Sequence, residues 1–189
     1  MSIHDQLSPV LSDLAGVLDG IGADQLSQPT PCSEYDVTAL RAHTLQWLTS
    51  FTEGLSDPAG NCPIEEVDVV GSGGDQVRSL AERMRATEGA EPEQLVIGGD
   101  GLPTSMGLSM ILGEYLVHGW DLAVATGQTW QPDSAACADA AAFMGEMLSP
   151  EMRGQSFASA VEVPADAPAL DQLVAITGRD PQWSAQQSR

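Results

Sequence analysis

The sequence predicts an all-α fold: a four-helix bundle with long connections and a short accessory helix near its C-terminal end. Three observations carry that prediction. Apolar residues recur at alternating spacings of three and four over several long segments, the period of a helix buried along one side. Stretches rich in Gly and Pro separate these segments and leave room for little strand. The run from Gly107 to Gly127 is apolar nearly all the way round, and a helix apolar on every face belongs at the centre of a protein.

Composition narrows the function classes. A chain of 189 residues with 42% apolar content suits one domain with a modest appendage. The expected division is a metal-binding bundle over residues 1–150, a packed extension over 151–181 and a disordered tail over 182–189. No apolar run approaches the ~18 residues that a membrane span needs. The N-terminal segment has neither a basic stretch nor an apolar run, so no signal peptide is expected and the expected location is cytoplasmic. With 27 acidic against 7 basic residues, a net charge of −20 disfavours nucleic acid and anionic membranes as partners. Cys32, Cys62 and Cys137 form no C-x-x-C pair, which argues against a disulfide framework or a zinc knuckle.

The elements follow in order. Ile3, Leu7, Val10, Leu14, Val17 and Ile21 define a first helix, expected to begin near Ser8 with Pro9 in its first turn. A polar loop leads to Asp36, an N-cap for a second helix over about residues 37–55. Its apolar side holds Val37, Leu40, Trp47, Leu48, Phe51 and Leu55. Residues 56–74 read as irregular, and Asp75 as the cap of a third helix over about 76–88. Residues 94–103 read as extended or looped, before the central helix starts near Thr104. An alanine-rich helix follows Pro132; residues 156–164 suggest an extended strip, and Pro168 opens a short helix that Gly178 ends.

Within this frame three side chains stand out. Glu114 and His118, four residues apart on the central helix, share one face. His43 lies three residues after Leu40 and four before Trp47, so it points into the core. A buried carboxylate needs a cation, a hydrogen-bond network or a metal. Two imidazoles and a carboxylate are ligands that zinc and other first-row divalent ions accept, with a fourth position left open as in catalytic sites. Spacing alone leaves two readings, this metal centre and a hydrogen-bonded Glu–His pair without an ion. His4 and Arg41 read as surface residues.

A resemblance weighs on that choice. The run TPCSEYDVTALRAHTLQW resembles the entry to the second helix of the DinB-like metalloprotein superfamily, and LGEYLVHGWDLAVATG resembles its third-ligand helix. The match is to the branch with the N-terminal domain of mycothiol-dependent maleylpyruvate isomerase. The ending AVEVPADAPALDQLVAITGRDP resembles short actinobacterial-type proteins of that branch. Tyr35 stands where the family usually has tryptophan, and the isomerase continues into a second, substrate-shaping domain beyond the region matched.

The resemblance implies a DinB-like four-helix bundle whose His43, Glu114 and His118 hold a divalent metal, Zn2+ foremost, with Ni2+ or another first-row ion as alternatives. It implies mycothiol as cosubstrate, and so a thiol-dependent transferase or isomerase acting on a small electrophile. The competing reading is a non-catalytic metal-binding or purely structural bundle. Trp47 and Trp120 are candidate pocket walls that also suit ordinary core, and Asp121 is a candidate to orient His118 from behind. Cys32 precedes the helix that carries His43 and is a candidate pocket residue, a thiol near a helix N-terminus where thiolates are favoured. The expected assembly is a monomer or a homodimer.

Overall fold

The computed structural model describes residues 2–148, 153 and 157–185. Their architecture is all-α apart from one hairpin: α1 (Ile3–Asp19), α2 (Val37–Ser56), α3 (Gly74–Arg85), β1 (Gln94–Ile97), β2 (Asp100–Pro103), α4 (Thr104–Ala125), α5 (Ser134–Met147) and α6 (Ala169–Ile176). α1 and α2 occupy opposite corners of a bundle, each flanked by α3 and α4. The alanine-rich α5 packs on α4 outside that ring, and α6 lies against α5 and α4. No helix of the described residues is long and apolar enough to cross a membrane.

The expected apolar stripes form the core. Leu7, Val10, Leu14 and Val17 of α1 are buried with Leu40, Leu48, Phe51 and Leu55 of α2 and Val77, Leu80 and Met84 of α3. Sixteen of the 22 residues of α4 are buried, which fits its central place. Small residues let neighbours approach it. Trp130 lies against Gly119, and Met144 against Gly113, where a Cβ would meet those side chains.

Several boundaries differ from the expected ones. α1 begins at Ile3, because Ser2 and Asp5 form a reciprocal capping box, and Pro9 sits inside the helix. The carbonyl that Pro9 leaves without a donor belongs to exposed Asp5. α3 starts two residues early, with Gly73 as its N-cap and Asp75 in its first turn. Residues 94–103 form an antiparallel hairpin, whose turn uses Gly98 and Gly99 at φ of +63° and +97°. Of the expected extended strip, Phe157 makes an isolated bridge with Arg153. The expected extension falls partly, and the tail in its last four residues, outside the described residues.

Two polar residues expected at the surface are buried. His4, 3% exposed, pairs through Nε2 with Glu91 at 2.8 Å. Arg41 is directed at a loop, donating through Nη2 to the carbonyls of Gly71 and Ser72. It satisfies backbone groups of the irregular connection that no helix can serve.

Candidate metal centre

α2 and α4 pack together and bring His43 and Glu114, 71 residues apart in sequence, onto a common point. His43 Nε2 lies 3.3 Å from Glu114 Oε1, and His118 Nε2 lies 3.2 Å from the same oxygen. The two imidazole rings stand nearly perpendicular, 5.2 Å between centroids. One donor atom from each of the three residues falls within 4.8 Å of the others.

The separations themselves inform on what this cluster fits. Tetrahedral donors at roughly 2.1 Å from a zinc ion stand about 3.4 Å apart. Charge-assisted hydrogen bonds close to about 2.7–2.9 Å. The separations of 3.3 and 3.2 Å on one shared oxygen lie close to that donor spacing, and the donor types are those of zinc and its neighbours. The residues present therefore fit a divalent ion.

Behind the cluster runs a second layer. His118 Nδ1 meets Asp121 Oδ2 at 2.9 Å, one turn along α4. Asp121 is fully buried, and Arg179 donates to it through Nη2 at 3.1 Å and Nε at 3.4 Å. Arg179 is placed by the end of α6, where Gly178 at φ +87° turns the chain and the Arg179 N–H bonds Val174 O. Sequence reasoning missed this arginine; it shares no helical period with Asp121, from which it is 58 residues distant.

Charge inside the cluster is strongly coupled. Burial alone would raise the Glu114 carboxyl, yet the His118 charge and hydrogen bonds from His118 and His43 hold it well below the usual carboxylate range. Burial would likewise lower His118, but the Glu114 charge and the Asp121 and Glu114 hydrogen bonds lift it to about 9.

The three residues open onto a cavity of about 590 Å³. Trp47 and Phe51 of α2 wall one side, Ile97 and Leu102 of the hairpin another, and Met144 of α5 a third. The loop before α2 adds Cys32, Glu34 and Tyr35, held by Thr30 Oγ1 bonding the carbonyls of Cys32 and Tyr35. The Tyr35 ring lies 4.8 Å from that of His43. Trp120 is packed in the core at 5% exposure and is not among the lining residues. A second group of metal-capable atoms, Cys32, His118 and Asp121, shares His118 with the first. Burial pushes the Cys32 thiol up to about 11, even with Arg179 nearby, so it is protonated at neutral pH.

A helical bundle with a His–Glu–His cluster at the floor of an apolar cavity is the class of protein that fold and site define. The model of the mycothiol maleylpyruvate isomerase N-terminal domain matches residues 7–123, and the chain belongs to that family. Uncharacterized proteins from two strains of Mycobacterium tuberculosis are each 28% identical over 174 residues, covering 87% of this chain and 91% of theirs. No solved structure matches.

Proposed function

We propose that this protein is a divalent-metal enzyme that presents a low-molecular-weight thiol, mycothiol, to a small electrophile for transfer or cis–trans isomerisation. His43, Glu114 and His118 are the ligands. The observation that carries the reading is the convergence of three donor atoms on one point that faces an apolar cavity and not solid core.

A divalent ion held by His43, Glu114 and His118 would supply Lewis acidity that favours the thiolate form of an incoming thiol. The chain's own groups do the rest. Asp121 fixes the ring orientation and tautomer of His118, and Arg179 neutralises Asp121. Trp47, Phe51 and Val117 keep the reacting carbon in an apolar, water-poor surrounding. Burial pushes all three cysteine thiols up to about 11 in the metal-free protein, which favours a nucleophile that enters from solution. In isomerisation the thiolate adds to one carbon of a conjugated double bond, the resulting single bond rotates, and the same C–S bond breaks to return the thiolate. In transfer the adduct takes up a proton and leaves.

One observation favours a second reading. With Glu114 ionised and His118 protonated, the cluster is a satisfied ion pair without any metal, so a binding or structural bundle is the alternative. Elemental analysis of the purified protein, followed by loading with zinc or nickel and incubation with mycothiol and a panel of electrophiles, separates the two. Stoichiometric metal with thiol consumption or cis–trans conversion supports the enzyme. Protein whose metal content and stability ignore both ions sinks it.

A further inference from the structure

We infer that the cavity selects an uncharged, largely apolar electrophile and excludes dicarboxylates. The inference rests on the cavity being the substrate site, and it concerns which substrates can enter. The chain has no lysine, and its seven basic residues are all arginines, six of them among the described residues. Arg41 is committed to the Gly71 and Ser72 carbonyls, and Arg153 to those of Ala158 and Ile176. Arg78 pairs with Asp19 and Asp75, Arg85 with Asp5 and Glu88, and Arg83 is exposed in the last turn of α3. Arg179 alone among the described residues brings a guanidinium to the cavity, and Asp121 already neutralises it.

Three carboxylates line the same cavity. Glu34 and Asp100 are exposed at the mouth, and Glu114 lies at the floor. A divalent ion matches two of those charges, and an incoming thiolate restores one. A dianionic substrate would shed its hydration to enter walls made of Trp47, Phe51, Leu102 and Met144 and find no free donor fork there. The surface charge of −20 opposes its approach as well. An apolar electrophile meets none of these costs and gains from the same walls.

Two fluorescent dyes of one skeleton test the inference: neutral N-phenylnaphthylamine and its anionic counterpart, anilinonaphthalene sulfonate. The neutral dye is expected to bind both metal-free and zinc-loaded protein about tenfold tighter than the sulfonate at low salt, and added salt to narrow the gap. Asp100→Arg is expected to tighten the sulfonate roughly tenfold and to move the neutral dye less than about twofold. Leu102→Trp and Val117→Trp, which fill the cavity from two sides, are expected to weaken the neutral dye. Equal or tighter sulfonate binding to the wild-type protein overturns the inference, as does neutral-dye binding untouched by both tryptophan variants. With mycothiol and zinc-loaded protein, dimethyl maleate is expected to be consumed and maleate spared; preference for maleate over the uncatalysed background again overturns it. Failure to consume either compound counts against the enzyme reading alone, because dye binding requires no turnover.

Discussion

Arg179 reaches back to Asp121 at 3.1 Å and so ties the segment after α6 to the residue that holds His118. Asp121 is fully buried, and the Arg179 side chain is only 10% exposed. Removing the guanidinium leaves a buried carboxylate with His118 as its one remaining charged partner. Arg179→Met is therefore expected to cost about 3–5 kcal/mol of stability, the range for breaking a buried pair from one side. Zinc affinity is expected to fall by roughly 10–100-fold, since the orienting carboxylate is no longer fixed. Arg179→Lys restores charge but not the forked geometry, and is expected to recover stability more than affinity. Thermal unfolding with metal titration checks both; unchanged affinity in Arg179→Met would remove the arginine from the support of the site.

The two metal-capable groups that share His118 make opposite predictions for two small variants. His43→Ala is expected to lose metal and to remain helical, since a half-buried imidazole is a minor part of this core. Cys32→Ala is expected to keep its metal. In the Cys32 group Asp121 is already bonded by His118 and Arg179, whereas the His43 group has no such competing partner on its shared carboxylate among the described residues. Cobalt substitution reads the same question spectroscopically. A thiolate-to-cobalt charge-transfer band in the near ultraviolet, lost in Cys32→Ala, would move the centre to the other group.

How far the sequence reveals the site depends on how local each relationship is. Glu114 and His118 share a helix face at four residues' spacing, so their alignment follows from helical geometry alone. His43 is legible because Leu40 and Trp47 mark its side of α2, although only the packing of α2 on α4 brings it to Glu114. Asp121 is suggested by its spacing of three from His118. Arg179 carries no such period; it belongs to a turn whose place on the bundle is set by tertiary contact. Arg41 and His4 differ from their expected surface positions for a related reason. Polar side chains beside an apolar stripe read as solvated unless their partners are known, and those partners, the 71–72 carbonyls and Glu91, lie in irregular segments. Pro9 misleads about the start of α1 because proline favours first turns, while the capping box at Ser2 outweighs it.

That capping box has a pH signature. The Asp5 carboxyl accepts from the Ser2 backbone N–H and side chain and from Arg85, which together hold it down from 3.8 to about 2. A depressed carboxyl contributes stability that is present above its unfolded value of 3.8 and lost as pH falls through about 2. Asp5→Asn, similar in shape and without charge, is expected to melt below wild type at neutral pH. The gap is expected to close as the wild-type carboxyl takes up its proton. A gap of constant size down to the most acid conditions that leave the fold intact would assign the effect to shape and not charge.

Packing around α4 makes the last prediction, through two helical glycines with different surroundings. Gly16 is exposed on α1, and a methyl group added to its Cα would meet nothing within 4 Å. Gly16→Ala is therefore expected to stabilise by about 0.5–1 kcal/mol through helix propensity. Gly119 would gain the same propensity, but a methyl there runs into the Trp130 ring. That ring cannot yield freely, being 7% exposed and anchored by its Nε1–H to the Leu116 carbonyl at 3.1 Å. Overpacking costs about 1–3 kcal/mol, which exceeds the propensity gain, so Gly119→Ala is expected to lower the melting temperature. Gly119 adjoins His118, and any displacement that relieves the clash also moves a proposed ligand. Zinc affinity is therefore expected to fall in Gly119→Ala and to stay unchanged in Gly16→Ala. Equal stabilisation by both substitutions would show that Trp130 does not hold α4 in register at the site.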